Sequence, residues 1–299
     1  MNILITGGTG FIGEELRMML LKEGHNLVIV TRNPGKYENE SAKNQEFISW
    51  DDDLSMQMNT MDAVINLAGE NLFGQRWSPE VKKRIQESRV NSTEKLVEAM
   101  RNADNPPQVF VSASASGIYG DNGDKVLSEE AKVADDFLAE VCQKWEAASQ
   151  KASEFGVRVV NPRIGIVLEE GGGALEKMLT PFRLFVGGPV GSGEQYMSWV
   201  HRTDLCRALI FPIDNEKFSG AYNVCAPNPV TMNSFAGALG EQMNRPSVFR
   251  VPEFVLGIVL GESAKPVTDS IRMQPKKLQI SGFEFRFEEI EEALADIVW

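Results

Sequence analysis

Met1-Asn2-Ile3-Leu4-Ile5-Thr6-Gly7-Gly8-Thr9-Gly10-Phe11-Ile12-Gly13 opens the chain with a strand that runs straight into a glycine turn. Asn2 to Thr6 is a short, nearly continuous apolar run, the pattern of a strand covered on both faces. Gly7, Gly8, Gly10 and Gly13 satisfy GxGxxG and GxxGxxG together. A strand that turns sharply into a helix while its backbone approaches a pyrophosphate must shed side chains, and the helix then offers free N–H groups to the anion. The plainer alternative is a tight turn with no ligand. Placement after a first strand and before a helix favours a dinucleotide seat at Gly7, Gly10, Phe11, Ile12 and Gly13.

Helical spacing runs from Phe11 to Glu23 and Gly24 ends it; Leu27 to Val30 is a second apolar strand, completing a β-α-β unit. Further strands are expected at Glu46–Trp50, Ala63–Leu67, Val109–Ser112 and Val157–Val160. Helices are expected at Pro79–Met100, with proline in the first turn, and at Asp135–Phe155, closed by Gly156. Strands alternating with helices require right-handed crossovers and a doubly wound parallel sheet. After Gly165 the alternation stops: Gly171-Gly172-Gly173 and residues 187–193 read as loops around a helix near Ala174–Phe185. The expected organisation is an α/β Rossmann-type domain over 1–165, rejoined by 199–225, with a smaller mixed α/β substrate lobe formed by 166–198 and 226–299.

With 299 residues, 42% hydrophobic and 24% charged, the composition is that of a globular protein able to bury a sizeable core. A net charge of −12 repels a phosphate backbone, and the local run Lys82-Lys83-Arg84 does not offset it, so no nucleic-acid partner is expected. The first strand begins too early for a signal peptide, and Phe254–Leu260 is far short of the roughly 20 apolar residues that cross a bilayer. Cys142, Cys206 and Cys225 are odd in number and lack CxxC spacing, which fits reduced thiols in a cytoplasm. With only His25 and His201, a Cys/His zinc site is not expected.

An NAD site of this kind places an Asp or Glu about 20 residues past the glycines, to accept from the ribose hydroxyls. Here Thr31-Arg32 follows the second strand, and a guanidinium there pairs with a 2′-phosphate. NADP (NADPH) is therefore the expected cofactor; the alternative for Arg32 is an exposed loop arginine. Leu67, Ala68 and Gly69 end the fourth strand, where small residues admit a nicotinamide ribose. Asp51 after the third strand either meets an adenine or belongs to an acidic surface turn. Glu70, Arg84 and Ser88 form a polar pocket for an anionic substrate if they face inward, and ordinary surface if they do not; Arg84 and Ser88 share a helix face.

TGGTGFIG, NLAG, FVSASASGIYG, Val159-Val160-Asn161-Pro162-Arg163 and Trp199-Val200-His201-Arg202-Thr203-Asp204 occur in this order. The chain thereby resembles, over nearly its whole length, the extended short-chain dehydrogenase/reductase family, the NAD(P)-dependent sugar epimerases and dehydratases. NLAGENL, RWSPEVKKRIQESRV, LAEVCQKWEAA and the block around Pro275–Leu278 and Gly282–Phe285 liken it to the atypical "epimerase family" branch. The resemblance implies a small polar substrate, Arg163 near the nicotinamide or capping its strand, and a two-fold homodimer through helices 79–100 and 135–155.

In that family a Tyr, with a Lys four residues later, exchanges the substrate proton. Placing the family's helix Glu on Glu146 puts the Lys position on Cys142 and the Tyr position on Leu138, so neither group is present. The family's Ser/Thr position falls on Ser114, and Tyr119 stands five residues on. Cys142 is read either as an acid/base thiol beside a stabilising group or as a small residue under the ribose. Two functions follow: an NADP(H)-dependent oxidoreductase or epimerase with unusual catalytic groups drawn from Ser114, Cys142 and Tyr119, or a catalytically inactive NADP(H)-binding regulatory or scaffold protein.

Overall fold

A computed structural model of the chain describes residues 1–72 and 75–298, with the side chains of 259 and 260 left aside. Seven parallel strands make the main sheet: β1 (Asn2–Thr6), β2 (Asn26–Thr31), β3 (Gln45–Ser49), β4 (Ala63–Asn66), β5 (Val109–Ser112), β6 (Arg158–Ile164) and β7 (Gly220–Val224). Their order is β7-β6-β5-β4-β1-β2-β3, and a short strand at Ser114–Ala115 adds to β6. The order reverses between β1 and β4, the point where doubly wound sheets open a ligand crevice.

Alternation along each strand divides the core. Ile3, Ile5, Ile29 and Ile65 face helices α1 (Phe11–Lys22) and α5 (Arg202–Asp214), whereas Leu4, Val28, Val64 and Phe110 face α2 (Pro79–Arg101). Helix α3 (Phe137–Gln150) packs beside α2, and α4 is Gly173–Arg183. Both faces are covered, which is why the strands read as unbroken apolar runs. A separate core gathers Leu175, Leu179, Trp199, Phe235, Leu239 and Leu294, while Leu278 and Phe283, far along the chain, return to the main sheet.

The expected strand at 157–160 runs on to Ile164 through Pro162, a residue that cannot donate in a ladder. β5 pairs only as far as Val160 and the short strand resumes at Arg163, so Pro162 occupies the gap between the two pairings. The expected helix at 135–155 begins at Phe137 instead, because the Asp136 carboxylate accepts from the Ala139 amide as its cap, and it ends in a 3₁₀ turn over Lys151–Phe155. Strand β7 had no local signal beyond a few apolar residues between glycine and proline.

The ends of the central strands are sewn together by a buried polar knot. Thr6 Oγ1 donates to Asn66 Oδ1 (2.6 Å), and Asn66 Nδ2 donates to Thr93 Oγ1 (2.8 Å) and Ser112 Oγ (3.2 Å). Trp145 Nε1 donates to the same Thr93 hydroxyl, so β1, β4, β5, α2 and α3 are registered at one point.

Candidate active site

Above this knot lies a cavity of about 520 Å³. Gly7, Gly10, Phe11, Ile12 and Gly13 form one end; Leu67, Gly69, Glu70 and Arg89 one side; Ser114, Ser116, Leu138 and Cys142 the other; Gly173, Lys265 and Asp269 close it from the lobe side.

Gly7 and Gly13 are sterically required. A Cβ on Gly13 would lie 2.3 Å from Gly7 O and 2.5 Å from Gly8 Cα; one on Gly7, whose φ is +70°, would lie 2.7 Å from the Leu67 carbonyl carbon. Gly10 caps α1 without a side chain. The Glu14 amide is taken by Gly10 O (2.9 Å), leaving the Phe11, Ile12 and Gly13 amides with no intrahelical partner at the cavity wall. These residues suit a phosphate: donors without competition, on a turn whose backbone packs too closely at Gly7 and Gly13 to admit a Cβ. Gly172 closes on Phe11 from the lobe, at a separation (2.4 Å to a Cβ) that only glycine permits.

Other expected site residues fall in three places. Leu67 and Gly69 line the cavity, with Ala68 between them donating its amide to Asn66 Oδ1 (3.3 Å). Buried Thr31 and exposed Arg32 and Asp51 stand at the ends of β2 and β3, outside its walls, and Arg32 has no hydrogen-bond or ion-pair partner among the described residues. Glu70 is in the wall, but Arg84 is half exposed, 3.9 Å from Glu70 Oε1 and bonded to Gln75. Ser88 Oγ accepts from the Glu70 amide (2.9 Å) and donates to Ile85 O (3.1 Å), fastening the loop after β4 to α2.

Arg163 and Tyr119 are not brought to the cavity. The Arg163 guanidinium is bidentate on Glu146 (2.9 and 3.0 Å) and donates to Tyr119 Oη and Glu129 O, both at 3.0 Å. Against the lowering effect of its burial, the Glu146 bonds and charge hold it above the ordinary arginine value. Tyr119 is fully buried, donates to Asn223 Oδ1 (2.7 Å), and burial pushes its phenol up to about 12. Ser114 Oγ is in the wall and donates to Glu146 Oε1 (2.7 Å), so Ser114, Glu146, Arg163, Tyr119 and Asn223 are one chain of bonds from cavity to core.

Leu138 and Cys142, one helical turn apart on α3, both face the cavity. Burial, with the nearby Glu146 charge, pushes the Cys142 thiol up to about 11; it donates to Ala115 O and keeps its proton at neutral pH. Sequence reasoning passed over Asp269 and Lys265. Lys265 Nζ donates to Asp136 Oδ2 (3.2 Å), docking this segment onto the cap of α3. Asp269 is partly buried in the wall; burial first, then the Asp136, Asp121 and Glu253 charges, raise its carboxyl to about 6 against the opposing pull of Lys265. No local pattern marks either residue.

Comparison with known proteins bears on all of this. The model of the NAD dependent epimerase/dehydratase family matches residues 3–225, and a domain of unknown function (DUF1731) matches residues 251–297. The chain is 36% identical over 302 residues to the epimerase family protein YfhF of Bacillus subtilis, covering 100% of this chain and 98% of that one. It is 38% identical over 304 residues to the chloroplastic epimerase family protein SDR39U1 homolog of Arabidopsis thaliana, covering 100% and 87%. A crystal structure of human epimerase family protein SDR39U1 (isoform 2) with NADPH superposes at a TM-score of 0.90, with 32% identity over 99% of each chain.

Proposed function

Because the chain belongs to the NAD dependent epimerase/dehydratase family, we propose that it is an NADP(H)-dependent oxidoreductase or epimerase acting on a small polar molecule, with sugar nucleotides among its candidates. The observation that carries this reading is the glycine turn, whose three free amides open on a cavity that continues beyond the phosphate seat to Ser114 and Asp269. Preference for NADP over NAD is supported by Arg32, which follows β2 where the sequence has neither Asp nor Glu and which has no ion-pair partner among the described residues, and by the NADPH in the human relative's structure. When bound, the cofactor supplies hydride chemistry.

The chain's own groups hold the substrate and move its proton. Ser114 spends its hydroxyl proton on Glu146, so it presents lone pairs and accepts from a substrate hydroxyl. Cys142, as a neutral thiol, shapes the wall. Tyr119 acts through Arg163 as a positioning residue. Asp269 is the group in the wall whose carboxyl exchanges a proton close to neutral pH, where general acid–base catalysis is most efficient.

Calorimetric titration with NADPH and, separately, NADH at matched salt tests the reading. NADPH binds more tightly, and Arg32→Glu removes the preference; binding of neither ligand overturns the proposal. Pairing of two copies through α2 and α3, expected from the family likeness, is tested by sedimentation velocity, where a single species near 33.1 kDa excludes it. A reducing, cytoplasm-like compartment is supported by three buried free thiols; no helix among the described residues is long and apolar enough to cross a membrane.

A further inference from the structure

Beyond Arg89 and Cys142 the cavity wall turns apolar. One turn back along α2 stands Ile85, one turn back along α3 stands Leu138 with Val141 beside it, and Leu72 from the loop after β4 completes a slot between the two helices. Both helices begin at the carboxyl edge of the sheet, with Ser78 and Asp136 as their caps, so each turn back leads away from the strand ends and the phosphate seat. The walls of the slot are held in place. Trp77 Nε1 donates to Leu72 O (3.1 Å), and the Trp77 ring meets Phe137 edge-on with centroids 5.6 Å apart. Gly117 lies so close to α3 that a Cβ on it would stand 3.2 Å from Leu138 Cβ, and Lys82 pairs with Glu262 to tie the lobe to α2.

What the slot can hold follows from what it lacks. The side chains of Leu72, Ile85, Leu138 and Val141 carry no polar atom, and backbone acceptors at its border are taken: Leu72 O by Trp77, Ile85 O by Arg89 (3.0 Å) and Ser88 (3.1 Å). The neighbouring Cys142 thiol is bonded to Ala115 O. A sugar ring placed there would bury hydroxyls with nothing to pair with, whereas an alkyl or aryl group gains by leaving water. Leu138 also falls where the family likeness places a tyrosine, so a hydroxyl that could meet a sugar is missing. Polar groups resume at Ser114, Ser116 and Asp269. We propose that the substrate is amphipathic, a small molecule whose single polar end lies at Ser114 and Asp269 and whose alkyl or aryl group fills the slot, with Leu138 and Val141 selecting it. The inference rests on the cofactor reading above and narrows its substrates, setting sugar nucleotides aside.

The test is a titration series on the chain saturated with NADP⁺. Straight-chain primary alcohols from ethanol to hexanol share one polar end and differ only in methylenes, and NMR of the Ile, Leu and Val methyl groups reads their binding where it occurs. Affinity is expected to rise about fourfold per methylene, with shifts at Leu72, Ile85, Leu138 and Val141, and UDP-glucose at the same concentrations is expected to leave those methyls unmoved. Leu138→Asn and the near-isosteric Val141→Thr put a polar group into the wall, and each should weaken hexanol about tenfold or more while ethanol changes little; retained NADPH binding shows that they are folded. An affinity that does not depend on chain length overturns the proposal. So does a steep series whose shifts fall elsewhere or survive both substitutions, or UDP-glucose binding at these methyls more tightly than hexanol. If the wild-type chain binds no dinucleotide, the cofactor reading falls by itself, and the same series on the free chain decides the slot by the same outcomes.

Discussion

Replacing Asp269 by Asn is expected to stabilise the protein, although it removes a charged residue from a wall that also holds Lys265. The folded-state carboxyl is raised from 3.8 to about 6, so the folded protein holds the proton more tightly than the unfolded chain does. The favourable contribution of the neutral acid is complete below pH 3.8 and is lost as pH climbs through about 6; above that, the wild type carries the full penalty of a partly buried anion facing Asp136, Asp121 and Glu253, only partly offset by Lys265. At 1.36 kcal/mol per pH unit the ceiling is about 3 kcal/mol. Asparagine keeps the shape and stays neutral at every pH. Because Asp269 is only half-buried and solvent screens part of the penalty, urea denaturation of wild type and Asp269→Asn at pH 8 should show the variant more stable by about 1 kcal/mol, with the advantage shrinking at pH 5. Equal midpoints at pH 8, or a gain that grows on acidification, would refute the reasoning. A ¹³C titration of the Asp269 carboxyl reads the same value directly, and Lys265→Met should move it further up, because Lys265 is the group that opposes the shift.

Glu146→Ala should cost about 3–5 kcal/mol, since it strands a nearly buried Arg163 whose bidentate partner is lost; thermal melting reads this, and a loss under 1 kcal/mol would mean that Tyr119 and the Glu129 carbonyl hold the guanidinium alone. All three cysteines are buried, with burial raising each thiol, to about 11 for Cys142 and about 12 for Cys206. Native protein at pH 7.5 should therefore leave Ellman's reagent nearly uncoloured, with three thiols released on unfolding; rapid native reaction of one thiol would contradict the packing around it.

Much of the architecture was legible in the residues because its causes are local. A strand buried on both faces must be apolar throughout, a helix must be amphipathic, and a chain that brings its own backbone to 2.3 Å of a would-be Cβ at position 13 must carry glycine there. These demands act over a few residues, so Asn2–Gly13, the central strands and α2 announce themselves, and family membership follows from the same motifs. What each charged or polar side chain touches is settled at long range instead. Arg163 reads as a residue for the cofactor, yet Glu146 from α3 claims it; Arg89 looks like any helix arginine until bonds to Ile85 O and Glu70 O and the Trp145 ring set it in the cavity wall. Asp269 and Lys265 carry no motif; they line the cavity from a distant segment that Lys265 ties to Asp136, the cap of α3. Periodicity determines the frame because burial is a property of each segment; the polar contents of the site depend on which distant segments desolvate one another, and that exists only once the chain has folded.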